Sequence, residues 1–164
     1  MAASSSAVLD CLDESGKGLR VEFEKQADRY RHTILSVTEG QTLALLQSIE
    51  GTSEELAPAS PPFAELHQQQ ELIFLSGATS LGHWSMSVSV REGALQFEIA
   101  CRLKGNIDWL GCQYQMLTPE NCLQEGHITM ASTEGDCLQL IPKKYEPGKY
   151  PATVEWSYRA IPSG

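Results

Sequence analysis

Residues 82–103 alternate large apolar side chains with small or polar ones on both sides of a Glu92-Gly93 pair, and nothing else in the chain narrows its fold as much. In GHWSMSVSV the large apolar residues are Trp84, Met86, Val88 and Val90, with Ser85, Ser87 and Ser89 between them. In ALQFEIACRL they are Leu95, Phe97, Ile99, Cys101 and Leu103, separated by Gln96, Glu98, Ala100 and Arg102. Successive strand side chains point to opposite faces, so a period of two gives one buried and one wetter face. A two-residue loop at Glu92-Gly93, with Gly93 at positive φ, pairs Val90 with Leu95 and Val88 with Phe97. It also pairs Met86 with Ile99 and Trp84 with Cys101. WLGCQYQML reads as a third strand of the same meander, joined through residues 105–108. That register sets Leu103 opposite Leu110, Cys101 opposite Cys112, Ile99 opposite Tyr114 and Phe97 opposite Met116. A slip of one residue in either hairpin would put Ser or Gln on the apolar face.

The same reading extends to both sides. GLRVEFEK alternates Leu19, Val21 and Phe23 with Arg20, Glu22 and Glu24, and YRHTILSVTE is rich in β-branched residues. QTLALLQSIE fits a strand through Leu43, Leu45 and Ile49, or a helix through Leu45, Leu46 and Ile49; a strand returning through Glu39-Gly40 is preferred. ELIFLS, HITMAS, CLQLIP and TVEWSYRAIP complete the set, the last with Val154, Trp156, Tyr158 and Ala160 inward. About nine or ten strands at hairpin spacing predict a mainly β chain. The expected architecture is a single-domain antiparallel β-sandwich or a closed or partly open β-barrel, with at most one or two short helices. Residues 1–17 read as a flexible tail and 18–162 as one β domain. Within it, 50–70 reads as a long surface loop in which Ser60-Pro61 would cap a short helix through Phe63 and Leu66.

Charge narrows the partners. The chain carries a net charge of −9, with twelve acids and five bases in residues 1–82. A negative surface repels phosphate backbones, so neither nucleic acid nor an anionic membrane is expected. No apolar run reaches the roughly 18 residues that cross a bilayer. The opening stretch lacks an early base and an apolar core, so no signal peptide is expected and the protein is placed in the cytoplasm. Cysteines stand at 11, 101, 112, 122 and 137. The count is odd and CxxC is absent, which points to reduced thiols and to no zinc ribbon. Cys101 and Cys112, opposed in the meander, are read as small buried hydrophobes rather than as a disulfide.

Catalytic patterns are absent. His32, His67, His83 and His127 show no metal-ligand spacing, and there is no GxSxG elbow or glycine-rich phosphate loop. No cofactor or metal is therefore expected. Lys143, Lys144, Tyr145, Lys149 and Tyr150 mix bases and aromatics, most simply a solubilising edge. Gly82-His83-Trp84, with Arg159 near the other end, resembles the short Gly-x-Trp signature of lipocalins. In that family the signature opens the first barrel strand, whereas here only about eighty residues follow it, and no membership is claimed.

The polar face of the meander is the more telling feature. Ser85, Ser87, Ser89, Gln96, Glu98, Arg102, Gln113 and Gln115 make it polar but sparsely charged. Such a face is either a solvated surface or a recognition surface. The leading expectation is a non-catalytic β domain that acts by binding a protein partner or a second copy of itself through a sheet face or edge. One alternative is a barrel holding a small apolar ligand among Trp84, Met86, Phe97, Tyr114 and Met116. Another is a hydrolase or isomerase whose site assembles only in space. It would need a cleft that brings a histidine within reach of a carboxylate or serine.

Overall fold

A computed structural model describes residues 6–50, 58–119, 121–125, 128–133, 135–142 and 149–162. Among these residues the chain forms thirteen strands and no helix. They are β1 (Ser6–Leu12), β2 (Gly18–Gln26), β3 (Arg29–Thr38), β4 (Gln41–Ser48), β5 (Glu65–Gln69), β6 (Leu72–Ala78) and β7 (Gly82–Arg91), followed by β8 (Ala94–Leu103), β9 (Cys112–Met116), β10 (Leu123–Glu125), β11 (Ile128–Thr133), β12 (Cys137–Pro142) and β13 (Ala152–Ala160). One sheet has the order β1-β2-β3-β4-β9-β12-β11 and the other β10-β13-β8-β7-β6-β5, and every pairing is antiparallel. The inner faces pack on one another around a single apolar core, so the fold is a sandwich and not a closed barrel.

Local sequence explains most of the hairpins. Glu92 and Gly93 both take positive φ, and Val90↔Leu95, Val88↔Phe97, Met86↔Ile99 and Trp84↔Cys101 pair as the alternation requires. Glu39-Gly40 makes the same kind of turn between β3 and β4. The mixed pattern of β4 has a physical cause. A β-bulge lets Ile34 pair with Leu46 and Leu35 with Ala44, so Leu45 is the extra residue and two consecutive leucines are buried. Gly82 opens β7 where a side chain would press on the Arg102 carbonyl at 3.2 Å.

Three expectations are corrected. First, β9 does not continue the meander. It lies in the opposite sheet between β4 and β12, and the free edge of β8 is taken by β13. Cys101, Ile99, Phe97 and Leu95 therefore face Val154, Trp156, Tyr158 and Ala160. Nine residue pairs form there, which the five residues of β9 could not match. Gly111 makes the crossing possible: at its positive φ, a Cβ would run into the Leu140 carbonyl where β9 meets β12. Second, residues 6–12 of the supposed tail form β1, paired with β2 and burying Ala7, Leu9 and Cys11. Small Ala and Cys at the inward positions made that alternation faint in the sequence. Third, the described part of the 50–70 segment is not a surface loop with a helix. Pro58, Ser60, Pro61, Pro62 and Phe63 are buried, the Tyr30 N–H donates to the Phe63 carbonyl, and Glu65–Gln69 is β5. Three buried prolines hold that crossing extended between the sheets. His127, Lys143, Lys144 and Tyr145 lie outside the described residues.

Candidate functional site

The antiparallel register of β6, β7, β8 and β13 aligns their outward side chains in rows across the six-stranded sheet. One row is Ser76, Ser85, Ala100 and Glu155, and the next is Phe74, Ser87, Glu98 and Ser157. These two rows are short side chains apart from Phe74 and the two glutamates. The row on one flank carries His83 and Arg102, and the row on the other carries Gln96 and Arg159. Small residues between longer ones leave a trough of about 890 Å³ on the outer face, floored by the strands at Met86, Ile99 and Trp156, whose side chains are buried in the core. With strands about 4.8 Å apart, crossing four of them spans roughly 14 Å. A second hollow of about 590 Å³ shares Phe74, Ser87 and Glu98 and runs on towards the β5–β6 turn.

Two features give the trough a chemical character. Phe74, at one end, is a large aromatic residue left 45% exposed. The charged residues lining the trough, Glu98 and Glu155, are both acids. They sit diagonally on adjacent strands, because Glu98 faces Ser157 and Glu155 faces Ala100, which places their β-carbons about 7 Å apart. One cation fits between two carboxylates at that spacing. Serine hydroxyls on three strands, β6, β7 and β13, supply hydrogen-bonding groups around it.

The residues considered for a barrel ligand turn their side chains to the core instead. Trp84, Met86, Phe97 and Tyr114 are buried on inner faces, Phe97 and Met86 from one sheet and Tyr114 from the other, with Met116 packed at the edge of the core. Their interior is filled by rings in contact. Phe97 stacks on Tyr158 at 4.9 Å between centroids, and His32 lies 5.2 Å from both Phe23 and Tyr114. A short polar chain crosses between the sheets here. His32 Nε2 and the Tyr114 hydroxyl are 2.6 Å apart, and the Tyr114 and Tyr158 hydroxyls are also 2.6 Å apart. Burial pushes His32 down to about 3, so the ring stays neutral, and it pushes both phenols well up. Burial likewise lifts the Cys101 and Cys112 thiols to about 12. These two cysteines are free and belong to different sheets. The network ties the sheets together, and its only histidine meets a tyrosine inside the core rather than a serine or carboxylate in a cleft. His67 and His83 are exposed. Among the described residues no group of three or more His, Cys, Asp or Glu side chains is arranged to hold a metal ion.

The sequence reading found half of the trough. Ser85, Ser87 and Glu98 were singled out, whereas Gln113 and Gln115, grouped with them, lie on the other sheet. Phe74, Ser76, Glu155 and Ser157 were missed as site residues. Their outward positions follow from the alternation, but placing them beside β7 and β8 requires knowing that β6 and β13 are the neighbours. No protein-family model, curated protein or solved structure matches the chain.

Proposed function

We propose that this protein is a binding domain that holds a basic segment of a partner protein across the outer face of its six-stranded sheet. The trough formed by Phe74, Ser76, Ser85, Ser87, Glu98, Ala100, Glu155 and Ser157 carries this reading. A lysine or arginine of the partner sits between Glu98 and Glu155, where a charge-assisted hydrogen bond to a carboxylate is about twice as strong as a neutral one. Its aliphatic stem, or a second cation, lies on the ring of Phe74. Arg102 and Arg159 in the flanking rows favour acidic or neutral residues on either side of that central base. Self-association through this face is disfavoured, because a two-fold axis there would bring Glu98 and Glu155 against their own copies.

The test is a titration of ¹⁵N-labelled protein with a lysine-containing peptide and with its acetylated, uncharged counterpart. Amide shifts clustered on β7, β8 and β13 around Ser85, Ser87 and Glu98, seen only with the charged peptide, are the expected result. The Glu98→Gln/Glu155→Gln variant should bind at least about tenfold more weakly. Shifts scattered over the acidic surface, or equal affinity in the variant, would overturn the proposal.

A further inference from the structure

On the opposite sheet, β3 leaves the Ala27-Asp28 turn with Arg29 and Arg31 on its outer side. Arg29 is only 5% exposed. Its Nε donates to Asp28 at 3.2 Å, but its Nη1 is buried and has no hydrogen-bond partner among the described residues. Glu50, just beyond β4, likewise buries its Oε1 without a partner among the described residues. Arg29 and Glu50 line one hollow of about 780 Å³, together with Arg31, Gln47, Ser48 and Gln115. Opposite charges side by side would normally pair, yet among the described residues the ion pair of Arg29 is with Asp28. A buried guanidinium nitrogen and a buried carboxyl oxygen, each left unsatisfied at one hollow, mark a place where a ligand recovers lost hydrogen bonds.

We propose that this hollow binds an oxoanion, a carboxylate or phosphate group, held by the guanidiniums of Arg29 and Arg31 beside the carboxyl of Glu50. Guanidinium forks suit both anions, since each presents paired oxygens to parallel N–H groups. The surroundings support a neutral Glu50. Desolvation raises its carboxyl to about 7, against the hydrogen bond from Ser48 and the nearby charges of Arg29 and Arg31. The other titratable groups around it are Asp28 on the turn and Cys112 and Tyr114 on β9, and burial keeps the last two protonated. Arg31 also contacts the exposed Glu24 at 3.6 Å, a long and solvated pair. With Glu50 neutral, two guanidiniums face one lining carboxylate, Asp28. When Glu50 ionises, that excess disappears and a donor becomes a like charge to the ligand. Binding should therefore weaken as pH rises through about 7. The site is separate from the trough, and neither proposal depends on the other.

Calorimetric and NMR titrations with acetate, at pH 6 and pH 8, decide the matter, because acetate is ionised at both. Inorganic phosphate at pH 6 then separates a carboxylate site from a phosphate site. Saturable acetate or phosphate binding is expected at pH 6, with the acetate affinity falling up to about tenfold at pH 8. Arg31→Gln, a partly exposed position that should not disturb folding, lowers affinity at least about tenfold. Glu50→Gln, neutral at every pH, binds alike at both. The proposal is overturned if neither anion binds saturably to the folded protein, if Arg31→Gln binds as the parent does, or if Glu50→Gln keeps the same pH dependence.

Discussion

Strands β8 and β13 carry one alternating pattern, but their two faces end in opposite states. Inward, Phe97, Ile99, Trp156 and Tyr158 are closed against the other sheet, and the Tyr158 hydroxyl is matched within the protein, in the His32–Tyr114–Tyr158 chain. Outward, the same strands present Glu98, Ala100, Glu155 and Ser157 along a trough open to solvent. The inner face uses its hydrogen-bonding capacity to fix one arrangement of the two sheets. The outer face keeps its carboxylates available for something else. Where polar groups are already satisfied inside a fold they hold it together; where they stand in a hollow between longer side chains they can recognise a partner.

The hardest blow to the inner face is Trp156→Ala, since this indole is among the largest side chains fully packed in the core. Removing it should cost about 3–5 kcal/mol. Urea unfolding would show the loss. A cost below about 1 kcal/mol would mean that the core is looser than its ring contacts imply, and that the contrast between the faces is overdrawn.

Next in size is a response to acid. The folded-state value of His32 is pushed from 6.5 down to about 3 by burial. Its contribution is whole above pH 6.5 and is lost as pH falls towards 3, by at most about 1.4 kcal/mol per pH unit, because only the unfolded chain takes up the proton. Glu50 acts in the opposite sense: its raised value makes stability fall as pH climbs from 4.5 to about 7. The two slopes oppose each other between pH 4.5 and 6.5. Glu50→Gln should therefore expose a steeper acid loss in chemical denaturation across that window, and His32→Leu should remove it. Parallel pH curves for the parent and both variants would refute the assignment.

The legible and illegible parts of the fold divide along the same line. Alternation in residues 84–90 and 95–103 fixed which side chains go inward, and the Glu92-Gly93 turn fixed one neighbour, because both are local facts. The other neighbour of β8 was not local. Cys112, Tyr114 and Met116 have the right period to lie beside it, but β13, some fifty residues away, has the same period and a longer match. Periodicity identifies a face, and only the closing of the sandwich identifies the partner strand. The trough was thus half visible: Ser85, Ser87 and Glu98 were found, and Glu155 and Phe74 were not. Arg29 and Glu50 gave no signal, since a charged residue at a turn reads as exposed until the chain at Pro58–Phe63 packs nearby.

A finer probe is Tyr158→Phe, which keeps the ring on Phe97 and deletes only the hydroxyl that Tyr114 meets. The expected loss is about 1–2 kcal/mol, with the native fold retained. A larger loss would show that the polar chain contributes more to joining the sheets than the stacked rings do. No loss would show that Tyr114 is satisfied by His32 alone.

The smallest effect on stability carries the most weight for function. Glu98 and Glu155 are exposed, and no ion pair holds either among the described residues. Changing both to Gln should move the unfolding free energy by less than about 0.5 kcal/mol, in the range of ordinary surface substitutions. A gain is as welcome as a loss, since two like charges at diagonal positions repel slightly in the free protein. If the outer face is there for recognition, the same variant must lose the basic peptide while its melting curve stays where it was. A variant that melts earlier by several degrees would instead place the glutamates among the groups that hold the sheet together, and the two faces of β8 and β13 would then differ in exposure but not in purpose.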